Sequence, residues 1–233
     1  MAQKINPTSL RLGISQLWTS NIQFYGKSFK LYFFLFHYCI KSFIFLKRIS
    51  NSIGFLIHYQ QLKIKKYNPI ILNIYYTQPF FVLKADSTRF YNKIQNTLSK
   101  FFSKKLCIGF YLMGFPLLSS NLLYSYSQFL VFENLTAKRI LWNLSKLLEM
   151  HLNSLKIIHT SRGVKILKLK GFKIQIAGRI DDSKTQMAKR LNLNVGSSCL
   201  TSLQDYIIYS KSILYSKSGT CGVKIWLFYE FVY

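Results

Sequence analysis

The sequence predicts an α+β protein in which helices pack on an antiparallel sheet. Apolar residues recur at helical spacing over 87–103 and again over 134–158. Runs rich in β-branched and aromatic residues read as strands at 54–62, 70–78 and 106–113, then at 164–180, 199–215 and from 222 onward. Breakers divide these segments: the polar KIKKYNP stretch, Pro116, and Arg162-Gly163.

In chain order, residues 1–20 form an extended N-terminal arm, with Pro7 after Asn6, Gly13 interrupting, and Lys4 and Arg11 as its charges. Residues 27–50 read as a basic helix, and the strands 54–62 and 70–78 follow. Asp86 and Ser87 are capping candidates for a helix that places Phe90, Ile94, Leu98 and Phe101 on one face. The strand at 106–113 completes an α-β-β-α-β unit. A connecting helix spans 116–132, and the helix over 134–158 carries a core stripe of Leu141, Leu144, Leu148 and Leu155 with Ile140, Leu147 and Ile158. The domain division is therefore 1–20, 21–115, 116–132 and 133–233.

Charge sets the function class. The 233 residues hold 32 Lys+Arg against 7 Asp+Glu, a formal net charge of +25. Self-repulsion on that scale calls for a polyanionic partner. The imbalance is greatest at the front: residues 1–132 contain 16 basic residues and one acid, Asp86. Phe, Tyr, Ile, Lys and Asn abound while Ala, Gly and Pro are scarce, the pattern of an A/T-biased, organellar genome. The opening MAQKINPTSLRLGI has neither the apolar core of a secretory signal nor the arginine of a transit peptide, so the protein is expected to be made in the organelle where it works.

Catalysis finds little support. The acids are thinly spread, and only Asp181 and Asp182 are adjacent, as a helix cap would be. No P-loop, glycine-rich dinucleotide fingerprint or Ser/His/Asp grouping occurs, and no cofactor or metal is expected. A nucleic-acid enzyme would need clustered acids for metal ions, which are lacking. The cysteines Cys39, Cys107, Cys199 and Cys221 are 68, 92 and 22 residues apart and read as four buried thiols in a reducing compartment. The competing class is an integral membrane protein built on residues 106–132, which run 27 residues without a charge. Gly109, Gly114 and Pro116 break that run, and a strand, a break and a helix from about 117 account for it better.

Basic residues instead cluster where a nucleic acid would lie. Lys165, Lys168, Lys170 and Lys173 lie along one extended segment with Arg179 at its end, and Lys189 and Arg190 follow. Lysine and arginine on a rigid sheet face suit phosphate contacts, which position without reading sequence.

The opening QKINPTSLRLGI resembles the start of small-subunit ribosomal protein S-3. Gln3, Lys4, Asn6, Pro7, Arg11, Leu12 and Gly13 fit that family's pattern, and Trp18 falls where the family commonly has a tryptophan. GFKIQIAGRI resembles the family's Gly-x-Lys-x-x-x-Ser/Ala-Gly-Arg-Leu strand, and Met187-Ala188-Lys189 its Ile/Met-Ala-Arg. Leu200, Leu203, Ile207, Tyr209, Gly219, Gly222, Val223, Lys224 and Trp226 match its closing segment without a gap.

The resemblance implies a structural, non-enzymatic constituent of a mitochondrial small ribosomal subunit, with plastid the lesser option. It implies binding to small-subunit rRNA in the head and a role on the side where mRNA enters. Neighbouring head proteins, S-10 and S-14, are its implied partners, and an organelle-specific ribosomal protein is expected over the aromatic surface of residues 31–60. The fold implied is an N-terminal arm, a degenerate type II KH-like α/β domain, and a C-terminal α/β domain with helices packed on an antiparallel sheet. At the position of the KH loop stands Lys84-Ala85-Asp86-Ser87, without either glycine of the Gly-x-x-Gly clamp, which removes close approach to a nucleic-acid backbone. Lys138, Arg139 and Lys146 are the residues implied at the messenger's entrance, while Asn143 and Leu144 stand where a further basic pair is expected. Lys4, Arg11 and Lys224, inside the matched motifs, complete the implied RNA-binding set.

Overall fold

The computed structural model describes residues 5–17, 56–63, 70–77, 92, 94–96, 99–100, 106–112, 119–160, 163–179, 187–216 and 219–232. The chain divides into two compact units, Ile22–Ser125 and Met1–Asn21 with Tyr126–Tyr233. The mixed α+β class holds in both. The expected helix at 27–50, Lys4, Cys39, the KH-loop position 84–87, Asp181-Asp182 and the aromatic surface at 31–60 lie outside the described residues.

In the first unit, β1 (Leu56–Lys63), β2 (Ile70–Thr77) and β3 (Leu106–Leu112) form one sheet in that order. β1 runs antiparallel to β2, whereas β3 lies parallel beside β2. A parallel neighbour requires a crossover, and residues 92, 94–96 and 99–100 between the two strands are helical. Leu72, Ile74 and Ile94 are fully buried there. On β2 and β3, Tyr75 stacks on Tyr111 with ring centroids 5.1 Å apart.

The uncharged run at 106–132 is divided between β3 and helix α1 (Ser120–Phe132). Thirteen residues of α-helix reach about 20 Å, well short of the roughly 30 Å hydrocarbon layer. Among the described residues no helix is long and apolar enough to cross a membrane. Helix α1 closes with Asn134 in the left-handed region at φ 59°. Its N–H donates to the Val131 carbonyl and that of Leu135 to the Leu130 carbonyl, the paired bonds of a Schellman cap.

Helix α2 (Ala137–Met150) buries Ile140, Leu144 and Leu148 and packs on β5 and β6 of the second sheet. The sequence predicts this helix to continue to 158, and here the structure corrects it. Asn153 takes φ 64°, its N–H donates to the Leu169 carbonyl, and Ser154 accepts from the Leu169 N–H. These bonds commit the chain to a strand, and the β-branched residues that follow form β4 (Leu155–Thr160). Leu155, expected in the helical core stripe, is exposed.

Four further strands complete the sheet: β5 (Gly163–Gly178), β6 (Lys189–Gly196), β7 (Tyr206–Ser216) and β8 (Gly219–Val232). All pairings are antiparallel, in the order β4-β5-β8-β7, with β6 beside the second half of β5. β6 was not expected as a strand, and β7 starts at 206 rather than 199. One face is apolar and meets α2: Phe172, Ile174 and Ile176 of β5 lie beside Val223, Ile225 and Leu227 of β8, all buried. The pairing shifts register between Leu169 and Gly171, a bulge that restores Lys168 and Lys173, five residues apart, to one side.

Candidate nucleic-acid interface

The other face of this sheet carries the polar side chains, and the register sets them in rows. Across β6, β5, β8 and β7 one row reads Asn194, Lys173, Trp226, Tyr209. The next reads Asn192, Gln175, Lys224, Lys211, and the third reads Arg190, Ala177, Gly222, Ile213. Two-residue periodicity puts them on one side, because β5 and β8 devote the alternate positions to the core. Small Ala177 and Gly222 leave the third row low, and a groove of about 530 Å³ opens over them. Its lining includes Lys173, Arg190, Lys211 and Lys224 with the amides of Gln175 and Asn192 and the indole of Trp226. Among the described residues lining it there is no carboxylate.

Trp226 is held from both sides. The Lys173 Nζ lies 5.6 Å from its ring centroid, a cation–π contact, and the Tyr209 ring stands 5.3 Å away. Burial raises the Tyr209 phenol above its ordinary value. Lys211 and Lys224 face each other directly across β7 and β8. Like charges at such close range are unfavourable unless an anion lies against them.

The expected RNA-binding residues distribute unevenly. Lys173, Arg190 and Lys224 come together in the groove. Lys211 joins them and was missed, although its alternation with Tyr209 and Ile213 in a predicted strand was the signal for it. Lys168 pairs in register with Glu230 on the same side as Lys173, but the intervening Lys170 makes a 2.9 Å ion pair with Glu230. Lys165 falls on the opposite side, its Nζ 4.9 Å from the Phe231 ring centroid. Lys189 is exposed at the start of β6. Arg179 is half-buried just past β5, and its carbonyl accepts from the Cys221 Sγ at 3.4 Å.

Arg11 is corrected. It is fully buried, inside the N-terminal segment. Its Nε donates to the Asp205 carbonyl and its Nη1 to that of Pro7, while Nη2 donates to Leu200 and Ser202. Burial lowers the guanidinium from its ordinary value, with the Asp205 carboxylate acting in the opposite sense. A guanidinium whose donors are spent on four carbonyls holds the loop before β7 and is not available to a phosphate. The thiols are corrected likewise: Cys221 is buried, but Cys107 and Cys199 are exposed.

A second basic surface lies on α2. Lys138, Arg139 and Lys146 are exposed. Trp142, 59% exposed, stands one turn from Lys138 and from Lys146, whose Nζ is 5.1 Å from the indole centroid. Asn143 and Leu144, at the place of the missing basic pair, are half-buried and buried, so that part of the helix serves the core.

No family model matches the chain. It is 41% identical over 229 residues to "Small ribosomal subunit protein uS3m" of Chondrus crispus, a mitochondrial form, covering 98% of this chain and 94% of the relative. To "Small ribosomal subunit protein uS3" of Borreliella burgdorferi it is 27% identical over 232 residues, 98% of this chain and 70% of the relative. To "Small ribosomal subunit protein uS3c" of Euglena longa it is 25% identical over 242 residues, 97% and 99% of the two chains. With identity of that order sustained along almost its entire length, the chain belongs to the uS3 family of small ribosomal subunit proteins.

Proposed function

We propose that the chain is a structural constituent of the mitochondrial small ribosomal subunit, docked on small-subunit rRNA in the head through the polar face of its five-stranded sheet. The observation that carries this is the convergence of Lys173, Arg190, Lys211 and Lys224 on one carboxylate-free groove. Ribosomal RNA supplies the anion that a chain of net charge +25 requires. The role is positional.

Further parts of the reading rest on the resemblance and on local geometry. The unit with β2 between antiparallel β1 and parallel β3 supports a KH-like domain over 21–115, followed by a connecting helix and the domain 133–233. Lys138, Arg139 and Lys146, with Trp142 among them, form the surface facing incoming mRNA. At the far end of the sheet, Leu155, Ile157, Val164, Ile166 and Val232 are exposed and share one side by register. This apolar patch suits a neighbouring head protein, S-10 or S-14 by resemblance, better than RNA.

The test is ultraviolet cross-linking of assembled subunits followed by peptide mapping. Peptides from 163–179 and 219–232 joined to small-subunit rRNA support the docking face. Cross-links confined to other segments would remove it.

A further inference from the structure

We infer that the groove over Ala177 and Gly222 receives unpaired nucleotides of a single RNA strand, and does not merely rest against the backbone of an RNA helix. This deepens the rRNA-docking reading and rests on it. The phosphates of an RNA helix only accept hydrogen bonds, and for them cations on a flat surface would suffice. Here the middle row is not cationic throughout: two amides, Asn192 and Gln175, precede Lys224 and Lys211. Gln175 is the register partner of both Asn192 and Lys224, so two amides lie side by side where the strands β6 and β5 meet. Each amide offers a carbonyl acceptor as well as donors, so the pair can meet a base edge, which single-stranded RNA leaves unpaired, in addition to a ribose hydroxyl, which either form presents.

Shape points the same way. The groove opens where two neighbouring strands place small residues in register, Ala177 opposite Gly222. A Cβ built on Gly222 meets only the Ala177 carbonyl oxygen, at 3.8 Å, and Gly222 sits in ordinary strand conformation. Neither close backbone packing nor an unusual φ therefore requires glycine there, and what its absent side chain provides is space. Trp226 bounds that space with an aromatic surface, and Lys173, Lys211, Lys224 and Arg190 stand around it to meet the flanking phosphates. Aromatic surface, amides and peripheral cations are what a sheet needs to hold splayed bases.

The test uses the full chain and two probes, an unstructured twelve-nucleotide RNA and a twelve-base-pair RNA duplex, compared by fluorescence anisotropy at fixed salt. The inference expects the single strand to bind about tenfold tighter, the size of one stacked base. Gly222→Leu, which fills the groove without touching a charge, should abolish that preference by weakening single-strand binding more than duplex binding. Gln175→Leu with Asn192→Leu, which keeps both the cations and the space, should weaken single-strand binding in the same direction. Equal affinity for both probes in the unaltered chain overturns the inference but leaves charge-driven docking intact. Equal weakening of both probes by Gly222→Leu overturns it too. If Lys211→Glu with Lys224→Glu changes neither probe, the docking reading falls as well. Cross-linking of β8 in assembled subunits to a protein instead of RNA would assign the groove to a protein partner and overturn the inference directly.

Discussion

The Arg11 guanidinium donates through Nε to the carbonyl oxygen of Asp205 at 3.0 Å, joining residues 194 positions apart. Gln16 adds a second link, from Nε2 to the Ile207 carbonyl. The N-terminal segment is thus fastened to the loop that leads into β7, whose Tyr209 and Lys211 belong to the polar face. Arg11→Met keeps the apolar stem and removes the donors. It should cost roughly 2–4 kcal/mol, because buried carbonyls lose charged partners. Denaturant unfolding of the full chain checks this; an unchanged midpoint would mean that the carbonyls find other donors.

Charge on the polar face can be counted through salt. For a single-stranded RNA the slope of log affinity against log salt is about −0.7 per phosphate neutralised. Lys211→Gln with Lys224→Gln should flatten that slope by about 1.4 if both reach phosphate. Lys165→Gln should leave it unchanged, because Lys165 lies on the other side of β5 over the Phe231 ring.

Gly171 and Gly196 mark where β5 and β6 cross closely. A Cβ on Gly171 would stand 2.6 Å from the Ser197 carbonyl oxygen, and Gly196 holds φ 75°. Gly171→Ala cannot be accommodated by rotating a side chain, since the obstructing atoms are backbone. A loss of about 2–4 kcal/mol is expected. Arg190 and Asn192 should shift away from Lys173 and Gln175, so RNA binding should fall with stability. Thermal unfolding and anisotropy on the same sample read both effects.

Tyr229 is 2% exposed, and burial pushes its phenol well above its ordinary value of 10.0. In the unfolded chain the phenol ionises from about pH 10, whereas the folded protein keeps its proton. Above that pH the folded state holds the extra proton, so stability falls as pH rises, by about 1.4 kcal/mol per pH unit for this group. The contribution is fully present below pH 10. Tyr229→Phe should remove that share of the alkaline limb, measured by urea unfolding between pH 9 and 11.

The outward face of α2 should be separable from its core. Replacing Lys138, Arg139 and Lys146 by Gln should change stability by less than about 0.5 kcal/mol per site, as these side chains are exposed. In-organelle translation of structured messages should slow relative to unstructured ones. Equal slowing of both would count against a role at the messenger's entrance.

The sequence was most legible where period and burial agree. The β-rich runs at 164–180 and from 222 predicted β5 and β8, and Ile140, Leu144 and Leu148 of the expected helical stripe are buried in α2. It was least legible where a tertiary bond decided the outcome. Leu155 and Ile158 extend the helical period, but hydrogen bonds between 153–154 and Leu169 turn the chain into β4. β6 escaped notice because its KRLNLNV alternation is short and its apolar side is half-buried. Among the site residues, charge alone could not distinguish Arg11, whose partners are carbonyls from 200–205, from a phosphate-binding arginine. Nor could it show that Lys168 and Lys173 share a side and Lys165 does not, since that depends on the bulge before Gly171.

Membership in the small ribosomal subunit is tested by sedimenting organelle lysate through a high-salt sucrose gradient and following this chain by mass spectrometry. Co-migration with small-subunit rRNA is predicted, because contacts built into a groove survive salt that strips loosely held cationic proteins. Recovery of the chain with membranes after ribonuclease and salt treatment, away from that RNA, would contradict it.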